Sequence, residues 1–177
     1  MGLVCNESSI QPKLPQVLFV SKKMLSLAAL TTLYPELPAN VYVKRMDKGW
    51  NNTAEHCRII QLLALCVEDY QSEYQVVLVF DAVALHLADE VFRMLQATEM
   101  WYIVVPAHLT WLLQPLDTHV FAKYKRLLKE LCVDTEEPRT TSERCLRMVR
   151  AVCYTIRRVM QAEQWKKLSR RAVSAAV

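Results

Sequence analysis

Hydrophobic positions along this chain change their period several times, and each change marks an element. Val17 to Val20 is a short apolar run after Pro12 and Pro15 and predicts a strand. A helical piece follows from Lys22 to about Leu33 and is closed by Pro35 and Pro38. Val41 to Val43 predicts a second short strand, leading through Asp47-Lys48-Gly49-Trp50 into a well-signalled helix. Asn52 with Glu55 three residues on has the spacing of a capping box, and Ala54, Cys57, Ile60, Ala64 and Val67 recur at helical intervals.

From Gln75 the pattern loses its period. Val76 to Phe80 is uninterrupted and apolar and ends in Asp81, which predicts a strand buried on both faces. A helix is expected from about Ala88 to Ala97, then a second buried strand from Trp101 to Val105, stopped by Pro106. Strand, helix and strand in that order form a βαβ unit, so the two strands are expected to be parallel, with their C-terminal ends on one sheet edge.

The last third returns to helical spacing. Val120, Phe121, Tyr124, Leu127, Leu128 and Leu131 share one face of a helix expected from about Thr118 to Cys132, and Asp134 to Arg139 reads as a polar linker. A final helix starts at Thr140, with Glu143 at capping-box spacing, and is expected to run to about Leu168. Leu146, Val149, Cys153, Ile156 and Met160 form its apolar stripe. Beside them stand Arg147, Arg150, Arg157 and Arg158, with Lys166, Lys167, Arg170 and Arg171 beyond.

Composition narrows the classes. A chain of 177 residues with 53% hydrophobic and 23% charged residues is expected to fold as one unit with a sizeable core. Only Gly2 and Gly49 are glycines, which excludes glycine-rich phosphate loops and hence the common nucleotide-cofactor enzymes. The net charge of +4 is uneven. Residues 1 to 121 hold 8 Lys/Arg against 12 Asp/Glu and residues 122 to 177 hold 14 against 6, so an acidic part precedes a basic one. A basic tail suits a polyanionic neighbour, and it equally suits the solvated face of a helix. The six cysteines include no C-x-x-C pair and the chain opens without secretory signal features, so reduced thiols inside a cell are expected. The longest stretch free of Asp, Glu, Lys and Arg, Met100 to Leu116, is broken by Pro106, His108, Gln114 and Pro115, so no membrane span is expected.

Two carboxylates stand where chemistry is expected. Asp81 ends a central strand, on the sheet edge where ligands bind in open α/β folds. Asp117 follows a proline-bounded loop after the second parallel strand, so it can converge on that edge. Two such groups repel unless a proton or cation lies between them, which favours a hard divalent metal and metal-assisted phosphoryl transfer. Asp117 also suits a helix cap, Asp81 a turn, and His86 either a polar contact to that edge or a satisfied core histidine. His56, His108 and His119 form no zinc-ligand spacing.

Two strings carry a resemblance. Val77-Leu78-Val79-Phe80-Asp81-Ala82-Val83-Ala84-Leu85-His86 and Pro106-Ala107-His108-Leu109-Thr110-Trp111-Leu112-Leu113-Gln114-Pro115-Leu116-Asp117 resemble the DDE superfamily endonucleases, which include the pogo, tigger and jerky type transposases and look related to mariner. Asp81 matches the second carboxylate of that family and Asp117 the third, with thirty-five residues between them. Phe121-Ala122-Lys123-Tyr124-Lys125 looks like the helix that follows, and Lys48-Gly49-Trp50 like the region before.

The resemblance implies an α/β, ribonuclease-H-like fold, a mixed sheet flanked by helices. It implies a partial catalytic domain over residues 1 to 133, then a linker and basic helix over 134 to 177. Gly2 to Asn6 looks like the second strand of that fold. The first strand, with the first carboxylate, is expected upstream of Met1, so the chain is expected to be N-terminally truncated. Ala82 stands where many relatives carry Asn. The implied activity is cleavage and joining of DNA strands with two Mg²⁺ or Mn²⁺ ions, with Asp81 and Asp117 as catalytic metal ligands and His86 and Gln114 as accessory groups. Lys123, Lys125, Arg126, Arg147, Arg150, Arg157 and Arg158 are then the nucleic-acid-binding residues. DNA is the implied partner, a homo-oligomer stays open, and the implied location is the nucleus. The alternative function is an inactive remnant of a transposase that binds DNA or a protein.

Overall fold

The computed structural model describes residues 1–5, 7, 9–109, 120–132 and 140–160. They fall into two compact units, one of residues 1–50 with 119–177 and the other of residues 51–118.

In the first unit, β1 (Gln16–Ser21) pairs in parallel with β2 (Val41–Met46), Val17 opposite Tyr42 and Ser21 opposite Met46. Helix α1 (Leu27–Leu33) starts later than its sequence pattern suggests. Residues 22–25 instead turn away from the strand, because the Met24 and Leu25 N–H groups both donate to the Ser21 carbonyl. Leu25 is fully buried, and its carbonyl accepts from Arg45 Nε at 2.7 Å. Ser26 then caps α1 by accepting from the Ala29 N–H. Gly49 adopts φ +70°, and a Cβ there would stand 3.0 Å from the Ser21 main-chain nitrogen. Glycine is required at that turn by both conformation and space.

Gly2 to Asn6, expected as a strand, forms none among its described residues. Met1 and Val17 exchange main-chain hydrogen bonds, after which two buried glutamines take over. Gln16 accepts from the Leu3 N–H through Oε1 and donates to the Leu3 carbonyl through Nε2, while Gln11 accepts from Cys5. Side-chain amides thus satisfy main-chain groups that a partner strand would otherwise pair.

The same unit holds α4 (Phe121–Cys132) and α5 (Thr141–Val159), which pack together, and α5 also meets α1. Thr140 and Glu143 form the full capping box. Val149, Cys153, Ile156 and Met160 of the expected stripe are buried, joined by Cys145, Thr155 and Val159. Helix α5 is described to Val159, with Met160 as its cap; the remainder of the helix expected to about Leu168 and the linker from Asp134 to Arg139 lie outside the described residues.

In the second unit, α2 (Thr53–Gln71) starts at Asn52, whose side chain accepts from the Glu55 N–H at 2.9 Å. It packs against α3 (Asp89–Ala97), which lies between β3 (Val77–Asp81) and β4 (Trp101–Val105) in sequence. The two strands are parallel, Val77 opposite Trp101 and Asp81 opposite Val105. α3 ends with Glu99 at φ 54° and the Met100 N–H donating back to the Leu95 carbonyl, the left-handed cap that reverses the chain into β4.

Burial of this pair on both faces does not hold. Val77, Val79, Trp101 and Ile103 form one face and are all exposed, Trp101 by 67%. Phe80 and Val105 are buried, and Tyr102 lies against Phe80 and Phe92 on the other face. An apolar run reports the hydrophobicity of a segment, whereas a second layer must exist to cover both sides. The described residues form two two-stranded parallel sheets, so the architecture is α/β with short parallel sheets and flanking helices. No helix among them is long and apolar enough to cross a membrane. None of the six cysteines, all of them among the described residues, forms a disulfide, and burial raises the pKa of Cys145 and Cys153.

Candidate active site

Asp81 is the last residue of β3, and the chain turns immediately after it. The His86 and Leu87 N–H groups both donate to the Val83 carbonyl, so residues 83 to 87 coil back toward the strand end. This turn brings His86 over Asp81, with Nδ1 2.7 Å from Asp81 Oδ1 and 3.2 Å from the Asp81 carbonyl oxygen. The His86 and Asp81 side chains are 21% and 30% exposed, placing the pair at the rim rather than in open solvent. By distance the contact is an ion pair when the imidazole is protonated. By direction it is not a hydrogen bond, so Oδ1 remains buried without a directed donor.

His86 contacts two rings. Phe80 meets it edge-on at 5.4 Å, and His56 lies nearly flat on it at 4.6 Å with 29° between the planes. His56 comes from the first turn of α2 and is 1% exposed. Its Nδ1 lies 3.4 Å from Asn51 Nδ2. Burial first, then the neighbouring His86, pushes its pKa down from 6.5 to about 4. Asn51 Oδ1 and His56 Nε2 are, like Asp81 Oδ1, buried without a hydrogen-bond partner.

Asp117 and Gln114 lie outside the described residues. Of the expected catalytic and accessory groups, the structure therefore brings together Asp81 and His86. Asn51 and His56 complete the polar corner, and sequence reasoning assigned neither to it. Their one signal was a polar pair bracketing a helix start, which is also what an ordinary cap looks like. Among the described residues no group of three or more His, Cys, Asp or Glu could hold a metal ion. Asp81 nevertheless fits a hard cation, being a carboxylate with a buried oxygen that lacks a donor.

The expected nucleic-acid-binding residues separate into different surroundings. Lys123, Arg126 and Arg158 line a hollow of about 550 Å³ between α4 and α5, with Glu130 at its margin. Arg147, Arg150 and Arg157 line another groove of about 880 Å³. There Arg150 grips both carboxylate oxygens of Glu36 at 2.8 Å, and Arg157 donates to the Glu36 carbonyl at 3.4 Å. The Arg150 guanidinium holds the Glu36 carboxyl below the usual carboxylate range. Lys125 lies over the Phe121 ring, 5.7 Å from its centre.

A family model described as DDE superfamily endonuclease matches residues 3–175. The chain belongs to the DDE superfamily endonucleases, of the pogo and tigger type. The match spans both carboxylates, Asp81 and Asp117, and the two DDE strings around them. No curated protein and no solved structure matches the chain.

Proposed function

We propose that this DDE domain, once the family's first carboxylate is supplied beside it, cuts and joins DNA strands in a divalent-metal-dependent reaction, with Asp81 and Asp117 as the second and third metal ligands. The observation that carries the reading is the end of β3, where a buried carboxylate oxygen without a donor faces the C-terminal edge of a parallel strand pair in a chain of this family. Asp81 and Asp117 would hold Mg²⁺ or Mn²⁺, two ions being the complement of the complete family site. When bound, such ions polarise the scissile phosphate, activate the attacking oxygen and stabilise the leaving one.

The chain's own residues supply orientation. His86 restrains the Asp81 carboxylate from one side, so the carboxylate enters the reaction already aimed. Lys123, Arg126 and Arg158 would draw the DNA backbone toward α4 and α5, each phosphate contact adding salt-sensitive affinity. Gln114, just after the Leu112-Leu113 pair in the family string, is the other accessory group of this reading.

Plasmid nicking tests it. Supercoiled DNA with Mg²⁺ or Mn²⁺ should be nicked by the chain extended with a strand that carries the family's first carboxylate, and the activity should vanish with EDTA, in Asp81→Ala and in Asp117→Ala. Salt-sensitive DNA binding without nicking in either metal would favour the inactive remnant instead. Nicking that survives removal of both carboxylates would sink the metal reading.

A further inference from the structure

The stacked histidine pair asks for a reason beyond packing. His56 is almost fully buried, yet its Nε2 finds no hydrogen-bond partner among the described residues. Leaving a buried polar atom unpaired destabilises the fold, and an aliphatic side chain of similar volume would avoid that cost. What an aliphatic chain lacks is a flat face. His56 presents one to His86 at 4.6 Å, while Phe80 meets His86 edge-on at 5.4 Å. These two ring contacts restrict rotation of the His86 ring, and with it the place of Nδ1 beside Asp81 Oδ1.

Asn51 fixes the lower ring in turn. Its Nδ2, 3.4 Å from His56 Nδ1, reaches from the residue just before the Asn52 cap, so the histidine is tied to the rigid start of α2. The lowered pKa of His56 keeps its ring neutral, so it adds no positive charge to compete with a cation at Asp81.

We propose that His56 is a positioning residue for Asp81, acting through His86: the flat face of its ring sets the plane in which His86 meets the carboxylate. This rests on the reading of Asp81 as a cation ligand. Outer partners of this kind change ligand affinity without touching the ion. His56 makes no contact with the reacting atoms and is not a catalytic residue.

The test uses the full chain with His56→Leu, His56→Phe and Asp81→Ala, folding being checked by circular dichroism. Two quantities are read: the ring nitrogen resonances of His86 by NMR, and the affinity for Mn²⁺ by calorimetric titration. His56→Leu should move the His86 resonances and weaken Mn²⁺ binding about tenfold, whereas the flat His56→Phe should stay within about twofold of the parent. A folded His56→Leu with parental resonances and affinity overturns the proposal, as does a His56→Phe that loses as much as His56→Leu. Should His56→Leu not fold, His56→Phe decides alone, retention supporting the proposal and a loss beyond about twofold overturning it. If Asp81→Ala binds Mn²⁺ as tightly as the parent, the cation reading fails, and the His86 resonances still decide the stack.

Discussion

His86 Nδ1 stands 2.7 Å from Asp81 Oδ1, five residues along the chain and on the far side of a tight turn. The turn at Val83 brings them together, and the His56 and Phe80 rings hold the result. On the function proposed above, a carboxylate restrained in this way would be set for a cation before one arrives. Removing the restraint should cost less than removing the carboxylate. His86→Ala is expected to reduce Mn²⁺-dependent nicking by about 10–100-fold, the usual range for an outer partner of a metal ligand. Asp81→Asn should leave no metal-dependent nicking above background. Equal losses in both variants, measured on supercoiled plasmid, would contradict this ranking.

His56 makes stability depend on acid. Its pKa is about 4 in the folded chain against an ordinary 6.5, so between those values the unfolded state binds a proton that the folded state refuses. Stability should be full above about pH 6.5, fall as the pH drops toward about 4, and level off below. Each pKa unit corresponds to about 1.4 kcal/mol, and allowing for partial screening the loss should be roughly 2 kcal/mol. His86 is the titratable group against this ring and acts in the same direction. Urea unfolding at several pH values should show this extra slope in the parent and its absence in His56→Phe.

Gly49 is the one glycine whose backbone demands glycine. At φ +70° with a Cβ position 3.0 Å from Ser21 nitrogen, alanine meets both strain and main chain that cannot move aside cheaply. Gly49→Ala should destabilise the chain by about 1–2 kcal/mol. Thermal unfolding measures it, and an unchanged midpoint would show that the turn relaxes.

The basic residues of α4 and α5 should not contribute alike to DNA binding. Lys123 and Arg126 line the hollow between the helices, whereas Arg150 is already gripped by Glu36. Replacing Lys123 and Arg126 together by Ala should flatten the dependence of log affinity on log salt by about 2, near one for each phosphate left without its cation. Arg150→Ala should change that slope little and instead weaken the hold of α5 on the Glu36 segment. Because Arg150 lowers the pKa of Glu36, its contribution is present above the carboxylate's ordinary range and is lost progressively as the pH falls from that range through the lowered pKa of the folded chain. Anisotropy titrations across a salt series separate the two sets.

Much of the local structure was written in residue order. The two apolar runs around α3 announced a parallel βαβ unit, and β3 and β4 pair in that sense. Asn52 with Glu55 and Thr140 with Glu143 announced two helix starts, because a side chain that must reach a main-chain N–H three residues on has few places to stand. The strings around Asp81 and Asp117 likewise pointed to the family that the match over residues 3–175 establishes.

What lay beyond residue order was the neighbour of each face. Periodicity says which residues share a surface, while burial depends on whether another layer covers it, so Val77, Val79, Trp101 and Ile103 could be apolar and still exposed. The arginine stripe looked uniform along α5 until Glu36, 114 residues before Arg150, came to meet it. The same holds for His56, thirty residues ahead of His86, whose role depends on a ring contact that no spacing encodes. Short-range hydrogen bonds and hydrophobic period were determined by the sequence alone, because their partners lie within one turn or one strand. The restraint on Asp81 was decided by tertiary packing, because its parts come from α2, β3 and the turn after it, and only close packing fixes the angle between two rings.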